Sequence, residues 1–161
     1  MKKALLVGIN QYGGGNQLNG CVNDIMLVND LIKEYKADME IKILTDHNAT
    51  TENIMNGLNW LVENAQAGDI LLFDYSGHGA QMTDSSGSHL DAVICPVDFD
   101  WKNNVVRDED FKKIFANVPT GVNLTVISDS CHSEGLIKEM VNPYSLNKIK
   151  TMPIPIGRAH V

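Results

Sequence analysis

Short apolar runs that end in polar turn residues constrain this chain more than any other sequence feature. Residues 69–74 (DILLFD) and 123–129 (NLTVISD) are two such runs, and residues 3–9 are a third. Apolar runs of this length are typical of buried strands in a parallel sheet. Helical periods lie between them, at about 23–35 and from Thr50 or Thr51 through Ala65. This alternation predicts an α/β fold with a mostly parallel sheet and helices on both faces.

Further elements are predicted from the same patterns. We expect a strand over residues 40–44, a mobile polar loop over 80–90, a small hairpin of 92–97 with 105–106, and a short helix from Asp108 through Phe115. The first helix should bury one apolar face, made of Ile25, Val28, Leu31, Ile32 and Tyr35.

Composition excludes several classes of protein. The 161 residues suit one domain, and a net charge of −7 argues against a general nucleic-acid binder, which would carry a basic face. No apolar run reaches the length of a membrane span. The three cysteines, Cys21, Cys95 and Cys131, form no CxxC pair, and this odd count favours free thiols in a reducing compartment. We therefore expect a cytoplasmic protein without a membrane or nucleic-acid partner and without an organic cofactor.

The turns that follow two of the predicted strands carry residues suited to catalysis. Residues 75–79 (YSGHG) supply His78, and residues 129–133 (DSCHS) supply Cys131. In an open α/β sheet, chemistry gathers beyond the carboxyl ends of the strands, so both side chains should reach one edge. A thiol beside a histidine can act as a nucleophile near neutral pH. The pair predicts a cysteine hydrolase.

Five ordered motifs give this chain a family resemblance. The sequence resembles the metacaspases, which are caspase-like cysteine peptidases, across residues 3–135; the matching segments are 4–10 (ALLVGIN), 20–24 (GCVND), 75–79 (YSGHG), 94–99 (ICPVDF) and 129–133 (DSCHS). The resemblance implies a three-layer α/β/α sandwich with a mostly parallel, caspase-like sheet. It also implies a large catalytic subunit over residues 1–141 and an extended tail or intersubunit linker over 142–161.

The resemblance assigns the catalytic groups. Cys131 would attack the scissile carbonyl, and His78 would protonate the leaving amine. The backbone N–H groups of Gly79 and Cys131 would stabilise the oxyanion.

The resemblance also implies a specificity pocket. Its lining matches Cys21, Asp24, Ser76 and Asp129, and two carboxylates there would bind a guanidinium or ammonium group. Protein or peptide substrates would then be cleaved after Arg or Lys.

Calcium activation is a third implication of the resemblance. The family's calcium carboxylates match Asp91, Asp108 and Glu109, and hard cations prefer such oxygen ligands. A further family ligand falls at Lys138, which cannot ligate calcium. A solvated acidic surface is the alternative reading of this cluster.

Departures from the family pattern keep a second function open. Glu134 stands where the family usually has glycine, and the strands of a small subunit are absent from the sequence. A catalytically silent, caspase-like interaction module that needs a partner chain is therefore the alternative to an active peptidase. Self-processing after Lys148, Lys150 or Arg158 in the tail is a related expectation.

Two other sites are weakly indicated. Zinc binding by His78, Cys131 and His132 lacks the ligand spacing of a structural site. A nucleotide site at residues 13–15 (GGG) fails the GxGxxG pattern because Leu18 stands where the third glycine should be.

Overall fold

The computed structural model describes residues 1–84 and 86–130. Strands and helices alternate along these residues, as the sequence predicts. Their bounds in chain order are β1 Lys2–Gly8, α1 Cys21–Tyr35, β2 Glu40–Thr45, α2 Thr51–Val62, β3 Ile70–Gly77, β4 Gly79–Thr83, β5 Leu90–Ile94, β6 Val106–Arg107, α3 Asp108–Phe115 and β7 Asn123–Ser130, with a 3-10 turn at Asp46–Asn48.

Four of these strands form a parallel sheet in the order β2-β1-β3-β7. One face is covered by α1, where Leu6 of β1 packs in a cluster with Ile25 and Ile32. The other face is covered by α2 and α3 through a larger core that includes Leu58 and Phe111. The predicted three-layer α/β/α sandwich is confirmed.

Helix α2 begins where the sequence predicts, because Thr50 caps it. The Thr50 hydroxyl accepts a hydrogen bond from the backbone N–H of Asn53 at 3.2 Å, which pairs one of the four N–H groups left open at a helix start. Buried side chains at Ile54, Leu58 and Leu61 then follow at helical spacing.

The predicted face of α1 is partly wrong. The buried residues of the helix are Cys21, Ile25, Asn29 and Ile32, whereas Leu31 is 55% exposed and Tyr35 is 70% exposed. The sheet-facing row follows spacings of four and three residues from Cys21. Leu31 points about a third of a turn away from that row, so apolar character alone did not identify the buried face.

The prediction of a loop over residues 80–90 is wrong for residues 80–83 and for Leu90, which belong to strands. β4 and β6 both pair antiparallel with β5, which forms a second sheet in the order β4-β5-β6. Gln81 is only 8% exposed and Met82 only 7%, so this polar-looking segment is a buried strand. The predicted hairpin is present as β5 and β6, although β5 begins earlier, at Leu90.

Candidate active site

The carboxyl ends of β3 and β7 lie side by side. In the parallel ladder Ser76 pairs with Asp129 and Gly77 pairs with Ser130. The sequence suggested that residues 75–79 form a turn. The strand β3 instead runs to Gly77, so Ser76 and Gly77 are extended strand residues. His78 follows Gly77 and Cys131 follows Ser130 in the chain, and Cys131 lies outside the described residues. The ladder therefore ends one residue before each predicted catalytic group.

His78 lies at the junction of the two sheets, between β3 and β4, and is fully buried. Its ring Nε2 is 2.7 Å from the backbone carbonyl oxygen of Asn16. Because a carbonyl can only accept, Nε2 carries the hydrogen of this bond, and in a neutral ring Nδ1 is then the basic nitrogen. The Asn16 carbonyl thus sets the tautomer of the histidine.

The glycine run at residues 13–15 shapes the loop that presents this carbonyl. Gly14 and Gly15 have φ values of 67° and 80°, a left-handed conformation that other residues rarely adopt. The Asn16 amide side chain donates to the Gly13 carbonyl at 3.1 Å. The run that superficially suggested a nucleotide site therefore has a role in holding the loop beside His78.

Two buried tyrosines bind the backbone of His78. The Tyr12 hydroxyl accepts from the His78 backbone N–H at 3.0 Å and donates to the Cys95 carbonyl at 2.8 Å. The Tyr75 hydroxyl donates to the His78 carbonyl at 2.6 Å, and the Cys95 N–H reaches the same carbonyl at 3.0 Å. Burial raises the pKa of both phenols, so they stay protonated and keep donating. We call Tyr12 and Tyr75 the tyrosine clamp.

Gly77 is required for the clamp to approach the strand. A Cβ built at this position would lie 2.5 Å from the Tyr75 hydroxyl oxygen and 2.6 Å from that of Tyr12. Both distances are well inside van der Waals contact, so no other residue fits without moving the phenols. The Tyr12 ring also contacts the His78 ring, with centroids 4.4 Å apart.

The predicted pocket residues lie on the α1 side of the sheet. Cys21 and Asp24 are in the first turn of α1, and Ser76 and Asp129 are paired across β3 and β7. The Ser76 hydroxyl is buried and has no hydrogen-bond partner among the described residues. Helix α1 approaches closely here, since a Cβ on Gly8 of β1 would lie 2.9 Å from the Cys21 carbonyl oxygen.

A side chain that the sequence analysis did not assign, Asp74, lies on the same face of β3. It is two residues before Ser76 and is only 5% exposed. Burial, and then the charges of Asp129 and Asp24, raise its pKa to about 7. The signal in the sequence was a charged residue inside an apolar strand run.

The predicted calcium ligands do not gather into a cation site in the described part of the chain. Within residues 1–84 and 86–130, no three His, Cys, Asp or Glu side chains are placed to hold a metal ion. Asp91 lies 3.8 Å from the guanidinium of Arg107, and Asp108 lies 2.8 Å from the ammonium of Lys112. These residues do not fit a calcium site by themselves, and the position at Lys138 lies outside the described residues.

Comparison with known proteins decides the family. A family model described as "Metacaspase, peptidase C14 domain" matches residues 2–139. The chain belongs to the metacaspase family. It is 41% identical over 143 residues to Metacaspase-1 of Meyerozyma guilliermondii and 39% identical over 160 residues to Metacaspase-9 of Arabidopsis thaliana. These matches cover 82% and 89% of this chain.

A solved structure has a similar fold. The crystal structure of protein GSU0716 from Geobacter sulfurreducens matches with a TM-score of 0.70 at 27% identity, over 83% of this chain and 52% of that one. The chain spans 35% of the length of the Meyerozyma metacaspase and 48% of that of the Arabidopsis metacaspase.

Other features of this metacaspase chain complete the description of the site. Gly79, predicted to supply an oxyanion N–H, is the first residue of β4 and pairs with Ile94. Within residues 1–84 and 86–130, no helix combines the length and apolar character needed to cross a membrane. The domain boundary at residue 141 lies outside the described residues, and a cytoplasmic location stays a prediction.

Proposed function

We propose that this chain is a cysteine endopeptidase that cleaves after Arg or Lys, with His78 and Cys131 as its catalytic pair. The observation that carries the proposal is the ladder of β3 and β7, which ends at Gly77 opposite Ser130. Each catalytic candidate follows the last paired residue of its strand in the chain, so imidazole and thiol would lie at the same edge of the sheet. Membership of the metacaspase family adds independent support.

The hydrogen bond to Asn16 defines how His78 would work. With Nε2–H donated to the Asn16 carbonyl at 2.7 Å, Nδ1 is the nitrogen that exchanges a proton with Cys131. When the ring takes that proton, the carbonyl dipole stabilises the imidazolium. The tyrosine clamp fixes the backbone of the same residue, which limits the motion of the ring between catalytic steps.

The reaction would then proceed in two stages. The Cys131 sulfur forms a bond to the scissile carbonyl carbon, and the Gly79 and Cys131 N–H groups stabilise the resulting oxyanion. The C–N bond breaks as His78 gives its proton to the leaving amine, which leaves a thioester. His78 then takes a proton from water, the hydroxide adds to the thioester, and Cys131 departs as a thiol with the proton that His78 returns.

The pocket on the α1 side supports the choice of a basic residue before the cleaved bond. Asp24 and Asp129 supply two negative charges, and the buried Ser76 hydroxyl supplies an acceptor. A guanidinium or ammonium group satisfies such acceptors with charge-assisted hydrogen bonds. A substrate with Asp at this position would meet like charges and should be rejected.

Turnover of fluorogenic Arg, Lys and Asp peptides tests the proposal. We expect Arg and Lys peptides to be cleaved, with activity abolished in Cys131→Ala and retained in Cys95→Ala. The matched control removes a thiol whose pKa is raised by burial and which therefore stays protonated. Cleavage of the Asp peptide alone would contradict the pocket assignment. Including millimolar calcium in parallel reactions tests calcium activation, for which the described residues supply no ligand group.

A binding module that acts with a partner chain is the second candidate. One observation favours it: β7 is one of the two edge strands of the described four-stranded sheet. An edge strand presents unpaired backbone groups to which another strand can bind. Absence of turnover with every peptide, together with a stable complex formed through β7, would favour this candidate.

A further inference from the structure

Asp74 is more buried than either carboxylate so far assigned to the pocket, Asp24 or Asp129. Side chains two apart on a strand share a face and lie about 7 Å apart along it. Asp74 therefore lies one step further into the sheet than the pair formed by Ser76 and Asp129. Asp24 is exposed, Asp129 is half-buried and Asp74 is buried, so the three carboxylates run from rim to floor.

The described neighbours of Asp74 leave its charge uncompensated. On the flanking strands its paired residues are Leu6 of β1 and Ile127 of β7, both apolar. Within residues 1–84 and 86–130, the charges that act on it are those of Asp129 from β7 and Asp24 from α1, and both are acidic. Burial, and then these two charges, all raise the pKa of Asp74. A buried carboxylate in such surroundings is costly to ionise until a cation arrives.

The Ser76 hydroxyl is a second and independent sign of a ligand at this place. Ser76 is 2% exposed, and its oxygen has no hydrogen-bond partner among the described residues. It lies on the same face of β3 as Asp74, directly across from Asp129. A buried hydroxyl without a partner costs free energy, which a donor on a bound ligand would recover. A ligand with a hydrogen-bond donor that reaches below the rim would supply such a partner.

We propose that Asp74 is a third carboxylate of the specificity pocket, at its floor, and that a cationic side chain binds there as Asp74 releases its proton to solvent. This inference rests on the proposed function, because it places a substrate side chain in the same pocket. The exchange is balanced: the neutral acid gives up one proton, and the arriving guanidinium or ammonium replaces it as the positive partner. Substrate binding then becomes tighter as pH rises through neutrality.

Calorimetry of a product-like ligand tests the proton release directly. N-acetyl-arginine amide is titrated at pH 7 in two buffers of different ionisation enthalpy, into Cys131→Ala protein so that turnover plays no part. Because Asp74 titrates near pH 7, about half a proton should leave per ligand bound. Adding Asp74→Asn should abolish the release, whereas adding Asp30→Asn, which removes an exposed carboxylate of α1, should leave it unchanged. The neutral isostere N-acetyl-citrulline amide should release none.

Steady-state kinetics give a second readout. For an Arg peptide, the wild-type KM should fall about tenfold between pH 6 and pH 8 through ionisation of Asp74. In Asp74→Asn the KM should stay near the pH 6 value, with kcat little changed. A purely structural role would instead alter kcat and KM together at every pH.

The outcomes separate this inference from the proposed function. Undiminished proton release in Asp74→Asn, or no release in the parent protein, overturns the role of Asp74. If Arg peptides are cleaved in that case, the peptidase stands without it. If no peptide is cleaved but proton release depends on Asp74, the pocket stands and the peptidase function fails.

Discussion

Replacing Gly77 with alanine tests the tyrosine clamp at its tightest point. The new Cβ would lie 2.5 Å and 2.6 Å from the hydroxyl oxygens of Tyr75 and Tyr12, whereas ordinary contact begins near 3.4 Å. To restore ordinary contact, the hydroxyl oxygen of Tyr75 must therefore move away by 0.9 Å and that of Tyr12 by 0.8 Å. Their hydrogen bonds to His78 and Cys95, now 2.6–3.1 Å long, would stretch beyond useful length.

The size of the effect follows from the groups left unpaired. Loss of two of these four buried hydrogen bonds, with their polar partners left unpaired, costs about 3–5 kcal/mol of unfolding free energy. We expect this loss for Gly77→Ala in urea unfolding, and a more than tenfold fall in kcat because the backbone of His78 moves. Gly13→Ala is the matched control, since its added Cβ would meet nothing within 4 Å. A loss below 1 kcal/mol for Gly77→Ala would refute the clamp.

Three further substitutions probe the site. Tyr12→Phe removes the acceptor of the His78 N–H and should lower the unfolding free energy by about 1–3 kcal/mol, measured in urea. Asp74→Asn should become more stable relative to wild type as pH rises, because the pKa of the Asp74 carboxyl is raised to about 7 in the fold whereas the unfolded chain ionises at lower pH. The difference in unfolding free energy between the two proteins should grow by about 2–3 kcal/mol from pH 5 to pH 8. A difference that does not change with pH would contradict burial of a neutral acid. Gly8→Ala pushes α1, which carries Asp24, away from the sheet, so KM for Arg peptides should rise severalfold.

Local patterns were sufficient to predict most of the elements. The apolar runs that became β1 and β3 were identified because burial on both faces leaves a continuous apolar signature. The strand β7 and the short helix from Asp108 through Phe115 were also predicted correctly. The start of α2 was narrowed to Thr50 or Thr51 because a hydroxyl before a helical period can cap a helix, and the structure shows Thr50 as the cap. These features depend on residues close in sequence.

Features that depend on distant residues could not be predicted in this way. Strand β4 is polar in sequence and is stabilised by pairing with β5 and by burial of Gln81. The tyrosine clamp joins Tyr12 to residues 63 and 66 positions away. The Asn16 carbonyl that orients His78 is a backbone group, which no side-chain pattern can reveal.

Prediction of the pocket residues succeeded in part. Asp24, Ser76 and Asp129 were assigned through the family resemblance, and the structure places Ser76 and Asp129 directly across from each other. Asp74 was visible as a carboxylate within an apolar strand, but its meaning required the alternation of faces along β3. Only the paired sheet shows that it shares the face of Ser76.

The most direct test of the central claim is the intact mass of the protein after exposure to an arginyl chloromethyl ketone, followed by peptide mapping. The account predicts one adduct, on Cys131, that is lost in His78→Ala and does not form with the matching aspartyl reagent. Labelling of Cys21 or Cys95 in preference to Cys131, or equal labelling by the aspartyl reagent, would contradict it.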